Sequence, residues 1–270
     1  MNSDTSIYSL ISLKDQVALI TGGAGHLGSA MALVMAELGA NILLLDRDLP
    51  SLEIVKKEIN SSYDVQVKCI VCDLSVEAEV AKVAEIVSET MGRLDIIINN
   101  AAYVGTTNIE GWSCSFEAQS LTAWRQALEV NLTSVFHLCQ SCKSLLEKSG
   151  HGSIINVGSI YGILGPDLSL YDDTDLNNPA AYAASKGGLL QLTRWLATVL
   201  APSVRVNAVS PGGIERGQPE AFMSKYIART PLKRMGREED FKGVIAFLAS
   251  DMSRWVTGQN IVVDGGWSIW

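Results

Sequence analysis

Short apolar runs alternate with helix-length amphipathic segments from residue 16 almost to the end of the chain, and this alternation limits the possible folds more than any single motif does. The first run, 16–21, ends in glycines and is followed by a helical pattern over 27–38 that Gly39 stops. The unit recurs at 41–45 with 51–59, 65–72 with 76–91, 94–99 with 120–147, and 153–157 with 180–200. A sixth run, 204–209, precedes helical segments across 219–249, and a seventh, 261–263, closes the series. Seven strands alternating with helices predict an α/β fold of Rossmann type, a doubly wound parallel sheet with helices on both faces and ligands beyond the carboxyl ends of the strands.

No internal repeat, low-complexity tract or linker divides the 270 residues, so one domain over 1–270 is expected, with a polar leader at 1–13. The irregular stretches 102–119, 161–179 and 212–219 each follow a predicted strand and should share one rim of the sheet. Segments 161–179 and 212–229 are the expected substrate-side loops. A hydrophobic content of 47% excludes intrinsic disorder, and a net charge of −8 offers no footprint for nucleic acid. The leader lacks the basic and apolar regions of a secretory signal, and no stretch approaches about eighteen consecutive apolar residues, so a soluble, cytoplasmic chain without a membrane partner is expected.

Five cysteines, an odd number, fit reduced thiols better than a disulfide framework. Two pairs read Cys-x-x-Cys, Cys69/Cys72 and Cys139/Cys142. The first lies on a predicted strand, where an odd offset points its thiols to opposite faces, so no metal site is expected.

Gly23, Gly25 and Gly28 spell G-x-G-x-x-G between the first strand and the first helix of the repeat, and Asp46 ends the second strand 18 residues later. Glycines let a backbone approach a pyrophosphate, a helix N-terminus supplies free N–H groups, and an acid at that distance accepts bonds from a ribose. A carboxylate at Asp46 repels the extra phosphate of NADP, which favours NAD, although Arg47 beside it is a group that a 2′-phosphate would seek.

Tyr182 and Lys186 stand four apart on a predicted helix and so share a face. A free phenol is a poor base at neutral pH, but an adjacent ammonium and a cationic nicotinamide ring both favour phenolate, which makes Tyr182 a usable acid/base.

With these residues in view the chain resembles the short-chain dehydrogenases/reductases from about Lys14 to Asp264. Thr21-Gly22-Gly23-Ala24-Gly25-His26-Leu27-Gly28 is similar to that family's T-G-x-x-x-G-x-G turn, with His26 in place of the middle glycine. His26 reads equally as a solvated loop residue or as a phosphate or ribose contact. Asp73 and Leu74 resemble the segment beside the adenine, and Asn99-Asn100-Ala101-Ala102 resembles N-N-A-G with Ala102 for glycine. Pro211-Gly212-Gly213-Ile214 resembles the loop over the nicotinamide, with Arg216 where a hydroxyl residue is usual. The resemblance implies a catalytic set of Asn131, Ser159, Tyr182 and Lys186. In it Ser159 holds the substrate oxygen, Lys186 also holds the nicotinamide ribose, and Asn131 continues a proton relay from the lysine. It further implies hydride transfer between a carbinol carbon and the nicotinamide.

Ser159 and Tyr182 are 23 residues apart, more than the family commonly has, and the segment between them is rich in hydroxyl and carboxylate groups. Such a wall points to a polyhydroxylated substrate, with Tyr161 and Tyr171 as contacts and with Arg216 and Gln218 on the neighbouring loop, the former a cation for a phosphate or carboxylate. The same features resemble the branch linked to flagellin modification and legionaminic-acid-type sugar synthesis, which implies oxidation of a sugar or sugar phosphate. Two alternatives stay open: an NADPH-dependent 3-oxoacyl-thioester reductase, and a catalytically silent dinucleotide-binding regulator. Trp267 and Trp270, aromatic residues near the end of a polar chain, are expected at a subunit interface of a homo-oligomer, a tetramer or dimer.

Overall fold

The computed structural model describes residues 6–104 and 107–270; positions 1–5 of the leader and 105–106 of the loop 102–119 lie outside the described residues. In chain order the elements are α1 (Ile7–Ile11), β1 (Val17–Thr21), α2 (His26–Glu37), β2 (Asn41–Asp46), α3 (Leu49–Ser62), β3 (Val67–Val71), α4 (Glu77–Val80) and α5 (Val83–Met91). There follow β4 (Ile96–Asn99), α6 (Leu121–Leu128), α7 (Ser134–Ser149), β5 (Gly152–Val157), α8 (Ala180–Leu200), β6 (Val204–Pro211), α9 (Glu220–Arg229), α10 (Lys242–Ala249) and β7 (Asn260–Val263). The strands form one sheet in the order β3-β2-β1-β4-β5-β6-β7, and every pairing is parallel. The order reverses between β1 and β4, and the chain leaves those two strands in opposite directions, which opens a crevice at their carboxyl ends.

Alternation along each strand divides the core into two layers. Ala18 and Ile20 of β1 face α2, α3 and α10, packing with Met31, Met35, Leu52, Ile59, Ile245 and Leu248. Val17 and Leu19 face the opposite side, packing with Val83, Val87, Leu138, Cys142, Leu189 and Leu196 of α5, α7 and α8. Central strands β1, β4 and β5 are buried along their whole length, as a sheet covered on both faces requires.

Local structure differs from the sequence expectation at several points. The leader carries the short helix α1, whose first turn Ser6 caps by accepting from the Ser9 amide, and Leu13 behind it is fully buried. The helix expected at 76–91 breaks at Ala81–Lys82, where the Lys82 amide bonds back three residues to the Glu79 carbonyl. The helix expected at 120–147 starts on a Ser120 cap and is interrupted by a π-turn over Glu129–Thr133 that separates α6 from α7. The loop 161–179 contains a 3₁₀ turn at Leu168–Tyr171, capped by Asp167. No helix among the described residues is long and apolar enough to cross a membrane.

Trp267 corrects the expectation of a subunit contact. It is 1% exposed within the single chain, stacked on Tyr226 at 5.5 Å between ring centroids, with the Arg229 guanidinium 4.3 Å from its own ring centroid. The chain turns back over α9 after β7 and buries this indole itself.

Candidate active site

A cleft of about 800 Å³ runs along the carboxyl ends of the strands. At the reversal point Thr21, the last residue of β1, accepts from the backbone amides of Asn100 and Ala101 through its hydroxyl, at 3.0 and 3.1 Å. The Asn100 side chain returns two bonds, donating to the carbonyls of Thr21 and Gly22. This lacing fixes the glycine turn against the end of β4. Gly22 has φ +63°, and a Cβ there would come within 2.9 Å of the Ala101 Cα. Gly28 lies beneath the turn rather than on the cleft, and a Cβ on it would collide with the Gly22 carbonyl. Gly25 is the N-cap of α2 and brings no side chain to the first turn, so the leading N–H groups of the helix stay uncapped.

Asp46 ends β2 with its carboxylate accepting from the Arg47 amide at 2.8 Å and the Ala24 amide at 3.4 Å. Asp73 accepts from both the amide and the hydroxyl of Ser75. Burial works to raise the Asp73 carboxyl, but the two Ser75 bonds and the Arg47 charge outweigh it and hold the group below the usual range. Gly22, Gly25, His26, Leu27, Asp46, Arg47, Asp73, Leu74, Asn100, Ala101, Ala102, Pro211, Gly212, Gly213 and Ile214 all line the cleft. His26, the first residue of α2, is exposed at the cleft wall.

Ser159 follows β5, and Tyr182 and Lys186 rise from α8, so the three meet on the same cleft. The Ser159 hydroxyl accepts from the Tyr161 amide at 3.1 Å and lines the cleft together with the Tyr182 phenol. Lys186 is 2% exposed; its ammonium donates to the Val157 carbonyl at 2.6 Å and stands 5.8 Å from the centroid of the Tyr182 ring. In the chain itself burial pushes the Tyr182 phenol up, against the opposing pull of the Ser159 hydroxyl, and it pushes Lys186 down to about 8. The direction at Tyr182 is opposite to the one expected from an adjacent ammonium. Desolvation is the first cause at both groups, and it favours the neutral form of each.

Asn131 is not on the cleft. It sits buried in the π-turn, its side-chain oxygen accepting from the Tyr103 amide at 2.7 Å. Its nitrogen donates to the Tyr103 carbonyl and to the Ser185 hydroxyl. The side chain therefore reaches the residue before Lys186 rather than the lysine, and acts as a positioning residue between the 102–119 loop and α8. A π-turn at such a place is a recurrent companion of functional sites.

Beyond Tyr182 the cleft is walled by Tyr161, Tyr171, Leu176, Asn178, Phe222 and Tyr226. The phenol oxygens of Tyr161 and Tyr171 share a hydrogen bond of 2.8 Å, and the Asn178 amide donates to Tyr171 at 3.2 Å. The expected carboxylates are absent from this wall. Asp167 turns to Arg229 at 2.5 Å and caps the 3₁₀ turn, while Asp172, Asp173 and Asp175 are exposed. Arg216 and Gln218 line the cleft, but the guanidinium is paired with Glu238 at 3.0 Å. The Gln218 amide staples the loop, accepting from the Arg216 amide and donating to the Ile214 carbonyl.

Sequence reasoning passed over Asn178, Phe222, Tyr226 and Gln119. Gln119 accepts from the Ala180 amide at 2.9 Å and thereby caps α8, whose own N-cap, Pro179, offers no side-chain bond. Asn177 and Asn178 precede this proline, but neither caps the helix, so no local signal in the sequence pointed to a cap supplied from Gln119.

The family whose model matches residues 22–268 is described as enoyl-(acyl carrier protein) reductase. A 3-oxoacyl-(acyl-carrier-protein) reductase of Thermotoga maritima is 34% identical to the chain, with 94% of this chain and 98% of that protein covered. A sorbose reductase of Schizosaccharomyces pombe is 32% identical, with 96% and 98% covered. Among solved structures, an NAD⁺-bound xylitol dehydrogenase superposes with a TM-score of 0.84 at 30% identity, over 94% of this chain and 99% of that one. With its seven-stranded parallel sheet and this cleft, the chain belongs to the short-chain dehydrogenase/reductase family of NAD(P)-dependent oxidoreductases.

Proposed function

We propose that the chain interconverts a secondary alcohol and a ketone with NAD as cofactor, on a sugar or another polyhydroxylated small molecule. The observation that carries this reading is the meeting of Ser159, Tyr182 and Lys186 with the glycine turn on one cleft at the reversal point of the sheet. The residues present fit a dinucleotide: the turn around Gly22 and Gly25 has no room for, or no use of, a side chain, and uncapped helix amides follow it. Asp46 and Asn100 would hold the adenosine and central parts, and Lys186 the nicotinamide ribose. NAD, when bound, supplies the hydride acceptor. Asp46 at the end of β2 favours NAD over NADP by repulsion of a 2′-phosphate.

The chain's own part is proton management. Ser159 orients the reacting oxygen, Tyr182 takes or returns its proton, and Lys186, its pKa lowered to about 8 by burial, exchanges protons behind the phenol. The hydroxyl and amide wall of Tyr161, Tyr171 and Asn178 supports a polar substrate, and the sorbose reductase and xylitol dehydrogenase among the relatives agree with it. The same features support the finer reading of a sugar oxidoreductase whose keto product an aminotransferase then uses, as in flagellin glycan synthesis. A 3-oxoacyl-thioester reductase is the second reading, favoured by the Thermotoga maritima relative and by Leu176, Phe222 and Met235 on the cleft.

The test is NAD⁺ reduction across polyols, sugars, sugar phosphates, nucleotide sugars and 3-hydroxyacyl thioesters, with Tyr182→Phe as control. Turnover of polyols or sugars, lowered about 10²- to 10⁴-fold in the variant, is the expected result. Turnover of thioesters alone overturns the substrate class, and NADH binding without any turnover favours a silent regulator.

A further inference from the structure

The phenol pair beside the reacting centre carries one hydrogen more than its internal bonding uses. Tyr161 and Tyr171 bring two hydroxyl hydrogens, and their mutual bond of 2.8 Å consumes one. Asn178 contributes an additional hydrogen by donating to the Tyr171 oxygen at 3.2 Å, so it fills an acceptor position and relieves neither phenol of its own proton. One O–H is therefore left over whichever phenol donates within the pair. Both phenols line the cleft. Burial first, and then the neighbouring Tyr171, push the Tyr161 phenol above its ordinary range, so the hydrogen is retained through neutral pH.

The pair stands close to the chemistry and is held rigidly. Tyr161 is tied through its amide to the Ser159 hydroxyl, and both phenols line the cleft that Tyr182 also lines. The Tyr171 ring leans on Phe222 at 5.6 Å, and the Gln119 amide donates to the Asn178 carbonyl at 3.5 Å. Among the described residues at this end of the cleft there is no carboxylate, and the one guanidinium, Arg216, is committed to Glu238.

We propose that Tyr161, Tyr171 and Asn178 form a reader for a second, neutral oxygen on the substrate, next to the carbinol that reacts. The ligand class is a neutral vicinal diol or its α-hydroxy ketone, which rests on the alcohol–ketone reading above and narrows it. A substrate without the second oxygen leaves a desolvated hydroxyl unpaired, and sites built around such a bond discriminate strongly against the analogue that lacks it.

The experiment compares 1,2-cyclohexanediol with cyclohexanol, two compounds on one carbon skeleton. Binding is measured by calorimetry on the whole protein with NADH present, and kcat/KM by NAD⁺ reduction. The wild type is expected to prefer the diol by about 10- to 100-fold in both measurements. Tyr161→Phe with Tyr171→Phe removes both hydroxyls, and the preference should fall to near unity. Asn178→Asp keeps both phenols but replaces the amide donor by an acceptor. Tyr171 then donates to the carboxylate, Tyr161 donates to Tyr171, and no hydrogen remains for the substrate, so this variant too should lose the preference. If the pair only braced the loop, Asn178→Asp would leave the ratio where it was. Retention of the preference in both variants, or equal binding of diol and mono-alcohol by the wild type, overturns the reader. Selective binding of the diol without any turnover would instead count against the alcohol–ketone reading and leave the reader standing.

Discussion

Lys186 is the residue at which folding and chemistry pull apart most clearly. Its ammonium is almost wholly buried with one carbonyl partner, and burial lowers its pKa from 10.5 to about 8. The folded chain thus sheds a proton that the unfolded chain keeps between those two values. Because the unfolded state binds more protons there, stability rises with pH across that window, and below about 8 the cost of the buried charge is present in full. Above 10.0 the raised Tyr182 phenol works in the opposite direction, so the window to read is about 8 to 10. Lys186→Met should therefore lack the rise that wild type shows there in denaturant unfolding, while losing turnover. A flat wild-type profile would mean that the ammonium is better solvated than its surroundings indicate. At this scale the sequence disclosed what local spacing can carry: the glycine turn, Asp46, and the Tyr182–Lys186 pair on one helix face. It did not disclose that Asn131 spends its amide on the Tyr103 backbone and Ser185, because those partners are reached only through the π-turn.

At the scale of elements, the catalytic helix α8 depends on a residue 61 positions earlier in the chain. Gln119 accepts from Ala180, two residues before Tyr182, and its nitrogen reaches the Cys114 and Asn178 carbonyls. Gln119→Ala should cost about 1 kcal/mol of stability, as loss of an N-cap does, and should lower kcat more than it raises KM because Tyr182 sits in the first turn. Gln119→Glu keeps the acceptor and places a negative charge at the helix N-terminus, so it should restore stability in thermal unfolding. Equal losses in both variants would show that the bonds to the loop carbonyls, rather than the cap, are what matter. All seven strands and most helices were legible because apolar runs and helical periodicity are local signals. The break at Ala81–Lys82 and the π-turn at Glu129–Thr133 were not, since each is a response to what the helix packs on. Carboxylates in the 161–179 segment misled for a similar reason. Composition counts a side chain whichever way it points, and Asp167 turns outward to Arg229.

Over the whole molecule, the reversal of strand order between β1 and β4 gathers the turn after β1, the loop after β4, Ser159 after β5 and the loop after β6 along one rim. The far wall of the cleft is closed by a ladder of rings, Tyr171 on Phe222 on Tyr226 on Trp267, which ties the inserted segment to α9 and to the end of the chain. The account rests on one claim, that this rim directs a hydride between an alcohol carbon and a nicotinamide with Tyr182 handling the proton. The most direct measurement follows a deuterium label: an alcohol substrate deuterated at its carbinol carbon is incubated with NAD⁺ and the protein, and the reduced nucleotide is analysed by mass spectrometry and NMR. The account predicts that the label arrives on one face of the nicotinamide ring without dilution by solvent, and that transfer is lost in Tyr182→Phe. Label that appears in water instead, or transfer that persists undiminished in Tyr182→Phe, would contradict it.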